Sequence, residues 1–223
     1  MHPIGWTPRW ATHRRDRWSA AGCTGTPTAT RSPLLCCWTA RPASTSRNGI
    51  SELTVYVATT DTVDIDELAA VAAGTFPLAC PPGIADEHVS SFIDAHLSPT
   101  HFLAYLSDPQ RAIIVARHDS RIAGYAMLIR EAPELESRAA ELSKLYVLAD
   151  FHGQGVAAKL MDAALATAAD WGLDYVWLGV NQKNQRAQRF YVKNGFTING
   201  TRTFQLGTHL EDDYVMVREL SQP

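Results

Sequence analysis

No apolar run in this chain approaches the roughly 18–20 residues that a bilayer-spanning helix needs, so no membrane partner is expected. Cysteine is scarce: four in 223 residues, with Cys36 and Cys37 adjacent. No pair stands as C-x-x-C, so neither a zinc site nor a disulfide framework is signalled, and no metal is expected. Thiols of this kind fit a reducing, cytoplasmic setting. Lysine is missing from residues 1–49, where seven arginines face a single acid, Asp16. The remainder therefore carries 13 bases against 22 acids, a net of −9 inside an overall charge of −3. That asymmetry marks two regions.

Residues 1–49 hold four of the six tryptophans and three of the four cysteines, among many Thr, Pro and Ser. Neither apolar period persists there, and no secretory apolar core of about 7–15 residues is present. The composition is that of a disordered extension. An organellar transit peptide and a basic nucleic-acid arm are the alternatives, and no nucleic-acid partner is expected. Residues 50–223 form the folded domain. A hydrophobic content of 46% and a mean hydropathy of −0.13 suit a globular protein with a sizeable core.

From Leu53 the patterning becomes regular. LTVYVA (53–58) predicts a strand, and a helix follows from near Thr62 with Val63, Ile65, Leu68 and Val71 apolar. Pro77, Pro81, Pro82 and Gly83 interrupt the chain. Further helices are expected over Asp86–Leu97 and Thr100–Leu106. RAIIVARHDSRIAGYAMLI predicts a hairpin turning at Asp119-Ser120, and Leu142–Leu148 is another strand. A helix follows the glycine loop and stops at Gly172. DYVWLGV (174–180) is a strand, Asn184–Lys193 a helix stopped by Gly195, and Phe196–Phe204 and Tyr214–Leu220 are closing strands. This order gives an α+β fold, a mixed sheet with helices on its faces.

DFHGQGVAAKLM (150–161) contains G-x-G-x-x-A at Gly153, Gly155 and Ala158. The loop follows a strand and opens a helix, as a phosphate site requires. The dinucleotide version also needs an acid at the end of the next strand, to hold a ribose. That strand ends at Gly179-Val180-Asn181, and Asp174 lies at its start. Too little chain follows for a doubly wound domain. NAD is therefore rejected, which leaves a different pyrophosphate or a plain turn.

LYVLADFHGQGVAAKLM is followed 23 residues later by NQKNQRAQRFYVKNGF. Together these resemble the GCN5-related N-acetyltransferase superfamily. Residues His152-Gly153-Gln154-Gly155-Val156-Ala157 match its Q/R-x-x-G-x-G/A signature, with His152 in place of the usual Gln or Arg. Asn184, Ala187, Tyr191, Gly195 and Phe196 match its second segment. With IAGYAML and the terminal DDYVMVREL, the chain is similar to bacterial Pai-type polyamine acetyltransferases. The resemblance implies a mostly antiparallel sheet of six to seven strands with flanking helices, and acetyl-CoA as cosubstrate. It implies that pantetheine pairs along Tyr146, Val147 and Leu148, with an oxyanion donor near Val147. Pyrophosphate would sit on His152, Gly153, Gln154, Gly155, Val156, Ala157 and Ala158. Asn184 and Lys193 would also hold the cofactor.

For catalysis, Tyr191 is the expected general acid toward the departing thiolate, because phenol and thiol have reference pKa values of about 10 and 8.5. Glu141 is the candidate base, since Gly179 stands where some relatives carry a Glu. The acidic balance and Glu211, Asp212 and Asp213 favour a small cationic amine, such as a polyamine, as acceptor. A protein or peptide N-terminal amine, or a non-catalytic CoA-binding sensor domain, are the alternatives. Exposed strand edges leave room for a homodimer.

Overall fold

AIIVA and IAGYAML are apolar at consecutive positions, which strand alternation explains only if both sheet faces are covered. The structure, a computed structural model, describes residues 52–80, 84–130, 138–206 and 209–220. The expected extension over 1–49 and the Pro81-Pro82-Gly83 break lie outside the described residues. Strands β2 (Arg111–His118) and β3 (Arg121–Arg130) form the expected hairpin, with Asp119 left-handed at φ 54° in its turn. One face of this hairpin, with Ile113, Val115, Tyr125 and Met127, packs under α1 (Ile65–Thr75) and α3 (Pro99–Ser107). The other, with Ile114, Ala116, Ala126 and Leu128, packs under α4 (Val156–Asp170).

Beside the hairpin lie β1 (Leu53–Val57) on one side and β4 (Ala139–Val147) on the other. Then come β5 (Tyr175–Asn181), β7 (His209–Glu219) and β6 (Thr197–Leu206), giving a seven-stranded sheet in the order β1-β2-β3-β4-β5-β7-β6. Every neighbouring pair is antiparallel except β4 with β5. Helix α2 (Asp86–His96) lies on the α1–α3 side, and α5 (Gln185–Lys193) packs through Ala187, Phe190 and Tyr191 against the α4-side core. Among the described residues no helix is long and apolar enough to cross a membrane.

Three boundaries differ from expectation by three residues or more. Helix α1 starts at Ile65 rather than near Thr62, because Asp64 caps it by accepting the Glu67 N–H at 3.0 Å. Strand β4 starts at Ala139, since Ala139, Ala140 and Glu141 pair with β5. Strand β7 starts at His209 because it pairs with β6 along almost its full length.

The feature that shapes the site is a bulge. Met127 pairs with Lys144 and Leu128 with Leu142, so Ser143 is the extra residue in β4. Before it, Ala140 and Leu142 face α4; after it, Leu145 and Val147 do. The change of phase therefore puts Glu141, Lys144, Tyr146 and Leu148 together on the α1–α3 face.

Candidate active site

Strands β4 and β5 pair through only three residues, Ala139 with Tyr175, Ala140 with Val176 and Glu141 with Trp177. Beyond that they part. β5 continues along β7, while β4 stays bonded only to β3. The Leu148 N–H is spent on the Ala123 carbonyl at 2.9 Å. Alternation along a strand therefore aims the Val147 amide the other way, into the opening. The Val147 carbonyl on that same side accepts from His152 Nε2 at 2.9 Å. His152 thus folds back onto β4. This accounts for a short imidazole at the head of the loop, where a longer side chain is usual.

Gly153 and Gly155 take φ values of +79° and +80°, the left-handed region that favours glycine. Gly155 is the N-cap of α4, and the first intrahelical bond runs from the Lys159 N–H to its carbonyl at 3.1 Å. The N–H groups of Val156, Ala157 and Ala158 are left without helical partners. Helix α1 meets this need with the Asp64 cap and acids in its first turn, and α2 carries Asp86 and Glu87 there. α4 has neither a side-chain cap nor a first-turn acid. Its positive end is open, and a Cβ built on Gly153 or Gly155 would meet nothing within 4 Å. Backbone, space and charge all fit a pyrophosphate. One Nε2 hydrogen of Gln154 is already donated to the Asp150 carbonyl at 2.7 Å.

Helix α5 is set by Asn184, whose Oδ1 accepts the Ala187 N–H at 3.0 Å. That cap uses the side-chain oxygen and leaves the amide nitrogen as a donor. Lys193 is exposed at the far end of the helix. Tyr191 is half-buried on the core side, between Phe190 and Phe196 at ring distances of 5.6 and 5.9 Å. Burial pushes its phenol up to about 12. Tyr146 lies near enough to feel it through the opening. Burial raises the Tyr146 phenol well above the usual range, and Tyr191 and then Cys80 raise it further.

At the acceptor end the structure brings together residues that local sequence signals did not connect. Arg202 of β6 reaches across β7 and β5. Its Nε lies 3.4 Å from Asp213 Oδ2 and its Nη1 3.5 Å from Glu141 Oε1, while its guanidinium stands 5.5 Å from the Trp177 ring. It also fills the space over Gly179, where a Cβ would overlap it. Glu141, the expected base, is therefore held in an ion pair. Asp213 is buried, and burial raises its carboxyl although Arg202 pulls it back. Glu211 pairs with Lys183 at 3.0 Å and accepts from Asn181 at 3.1 Å. Of the three acids taken as a sign of a cationic acceptor, two are thus matched by cations from other elements, and Asp212 is exposed.

Lys144 was also not singled out by the sequence. It is half-buried, with no carboxylate within ion-pair distance among the described residues. Burial lowers its ammonium to about 8, Glu141 raises it and Arg111 lowers it. Only the bulge, which no local motif announces, turns it to this face.

The central parallel pair of the sheet thus opens beside a glycine loop and an uncapped helix, with a free strand edge and an anion-compatible end at one place. A family model described as "Acetyltransferase (GNAT) family" matches residues 81–196, about half of the chain. The chain belongs to this family, and it is an acyltransferase. It is 69% identical over 157 residues to uncharacterized N-acetyltransferases of Mycobacterium tuberculosis and Mycobacterium bovis, covering 70% of this chain and 98% of each relative. Among solved structures, PaiA N-acetyltransferase from Thermoplasma acidophilum, in complex with coenzyme A, superimposes with a TM-score of 0.64. Its identity is 22%, covering 75% of this chain and 99% of that one. The ribosomal-protein-S18-alanine N-acetyltransferase of Escherichia coli gives a TM-score of 0.59 at 17% identity, covering 77% and 96%. At these identities the structures confirm the α+β fold with its mostly antiparallel sheet.

Proposed function

We propose that the chain transfers the acetyl group of acetyl-CoA directly to a primary amine in a ternary complex, with a polyamine or similar small cationic amine as acceptor. The observation that carries this reading is the parting of β4 and β5. It presents the Val147 N–H at the same opening as the uncapped N-terminus of α4 and the Tyr191 ring. Acetyl-CoA supplies an activated acyl carbon. Tyr146, Val147 and Leu148 would offer it a strand edge, and residues 152–158 an anion cradle built mostly from backbone amides. The Asn184 amide nitrogen and Lys193 would add donors.

The Val147 N–H would act as the oxyanion donor, a contribution of about 2.7–4 kcal/mol for such a group. Tyr191 donates to the departing thiolate. A phenol near 12 delivering a proton to a thiol of about 8.5 is uphill by roughly 5 kcal/mol. Return of a proton to the phenol oxygen from the newly acylated nitrogen would offset that cost. The cationic acceptor rests on the acidic balance of residues 50–223 and on the Pai-type resemblance. A cytoplasmic location belongs to the same reading.

The test is thiol release from acetyl-CoA by the full chain with spermidine, simple alkylamines and peptides. Spermidine turnover is expected, with Tyr191→Phe lowering kcat by about 10²–10⁴-fold and leaving CoA binding near wild type. Reaction with peptides alone would replace the polyamine by a protein N-terminal amine. CoA binding without turnover of any amine would make the domain a sensor.

A further inference from the structure

We infer that Lys144 is the base that takes the proton from the acceptor ammonium, a role that rests on the acetyl-transfer reading above. The bulge at Ser143 brings its side chain to the same face as Glu141 and Tyr146, two residues before the strand edge proposed for the donor. Of the four lysines, Lys159, Lys183 and Lys193 are exposed, and only Lys144 is half-buried. The groups around it are Glu141 on its own strand, Arg111 from β2 and His96 from α2, with His101 of α3 beside His96 at 6.4 Å. Strand β3 offers Met127, which carries no charge. Arg111 is itself paired with Asp108 at 2.9 Å.

Glu141 is the carboxylate that acts on Lys144, and it is tied to Arg202. As a base it would give up that ion pair. Efficient bases have a proton affinity close to the working pH. Burial, opposed by Glu141 and aided by Arg111, moves Lys144 down to about 8, into that range. His96 is lowered by burial, by Lys144 and by His101, and it is exposed on the last turn of α2. It offers the proton a way out.

The step balances. The acceptor ammonium gives one proton to neutral Nζ. The free amine forms the C–N bond as the C–S bond breaks. The second nitrogen proton reaches the thiolate by way of the Tyr191 hydroxyl. Lys144 then returns its proton to solvent past His96.

The experiment compares pH profiles of kcat/KM for wild type and Lys144→Arg with spermidine, and titrates the full chain carrying 13Cε-labelled lysine by NMR. Wild type should rise to a plateau near pH 8. The arginine variant, which cannot release its proton, should fall about 100-fold at pH 7 and keep rising toward the acceptor's own pKa. The Lys144 resonance, assigned by its loss in Lys144→Arg, should titrate well below the other three. An unchanged bend in the variant, or a Lys144 titration alongside the exposed lysines, overturns the inference. A Lys144 titration alongside the exposed lysines overturns the inference even if no tested amine is acetylated, whereas the absence of turnover in wild type would count against acetyl transfer itself.

Discussion

Gly179→Ala should destabilise the domain through Arg202 alone. A Cβ at 179 would overlap Nε, Cζ and Nη2 of that guanidinium, so the side chain must swing out. It then leaves Trp177, Glu141 and Asp213. Removing one partner from a fully buried pair costs about 3–5 kcal/mol. Here the Asp213 side chain is only 9% exposed, but Arg202 and Glu141 are 27% and 23% exposed, which makes the Glu141 pair closer to a surface bridge. The expected loss is about 2 kcal/mol, or a fall in Tm of roughly 4–8 °C. Urea unfolding of a double-mutant cycle with Arg202→Ala checks the cause. With Arg202 removed, alanine at 179 should cost almost nothing, giving a coupling of about 2 kcal/mol. The pH dependence adds a second signature. Asp213 is raised in the fold, so its ionisation makes stability fall as pH rises from the unfolded carboxyl value to the folded one. Loss of Arg202 should widen that window upward. Equal costs with and without Arg202 would refute the reasoning.

Lys144→Met should stabilise the domain at pH 7 by at most about 3 kcal/mol, because a lowered ammonium is a penalty present below about pH 8 and relieved by 10.5. Denaturant titrations at pH 7 and 10.5 should show the advantage disappear. Gly155→Ala places a side chain at φ +80° and should cost about 1–2 kcal/mol, with weaker CoA binding by calorimetry because the α4 amides shift. Tyr125→Phe removes a buried hydroxyl that has no hydrogen-bond partner among the described residues. It should leave stability unchanged or raise it by about 1 kcal/mol, and a loss of 2 kcal/mol in thermal unfolding would show that a partner exists.

Much of the donor side was legible locally. The left-handed glycines, the helix after them and the Asn184 cap are each written in a few adjacent residues. The acceptor side was not. Glu211 and Asp213 read as free acids because their partners, Lys183 and Arg202, come from other stretches of chain. His152 read as a residue of the pyrophosphate signature, and its bond back to Val147 was not legible. Lys144 carried no signal, because its orientation depends on one extra residue in β4.

The sequence by itself determined the α+β class, the glycine loop and the Tyr191 helix, because helical and strand periods and glycine backbone freedom act over a few residues. Tertiary structure alone decided which charges meet at the opening. Ion pairs and proton affinities depend on burial and on distances between strands far apart in the chain, and a single bulge resets which face each side chain of β4 takes.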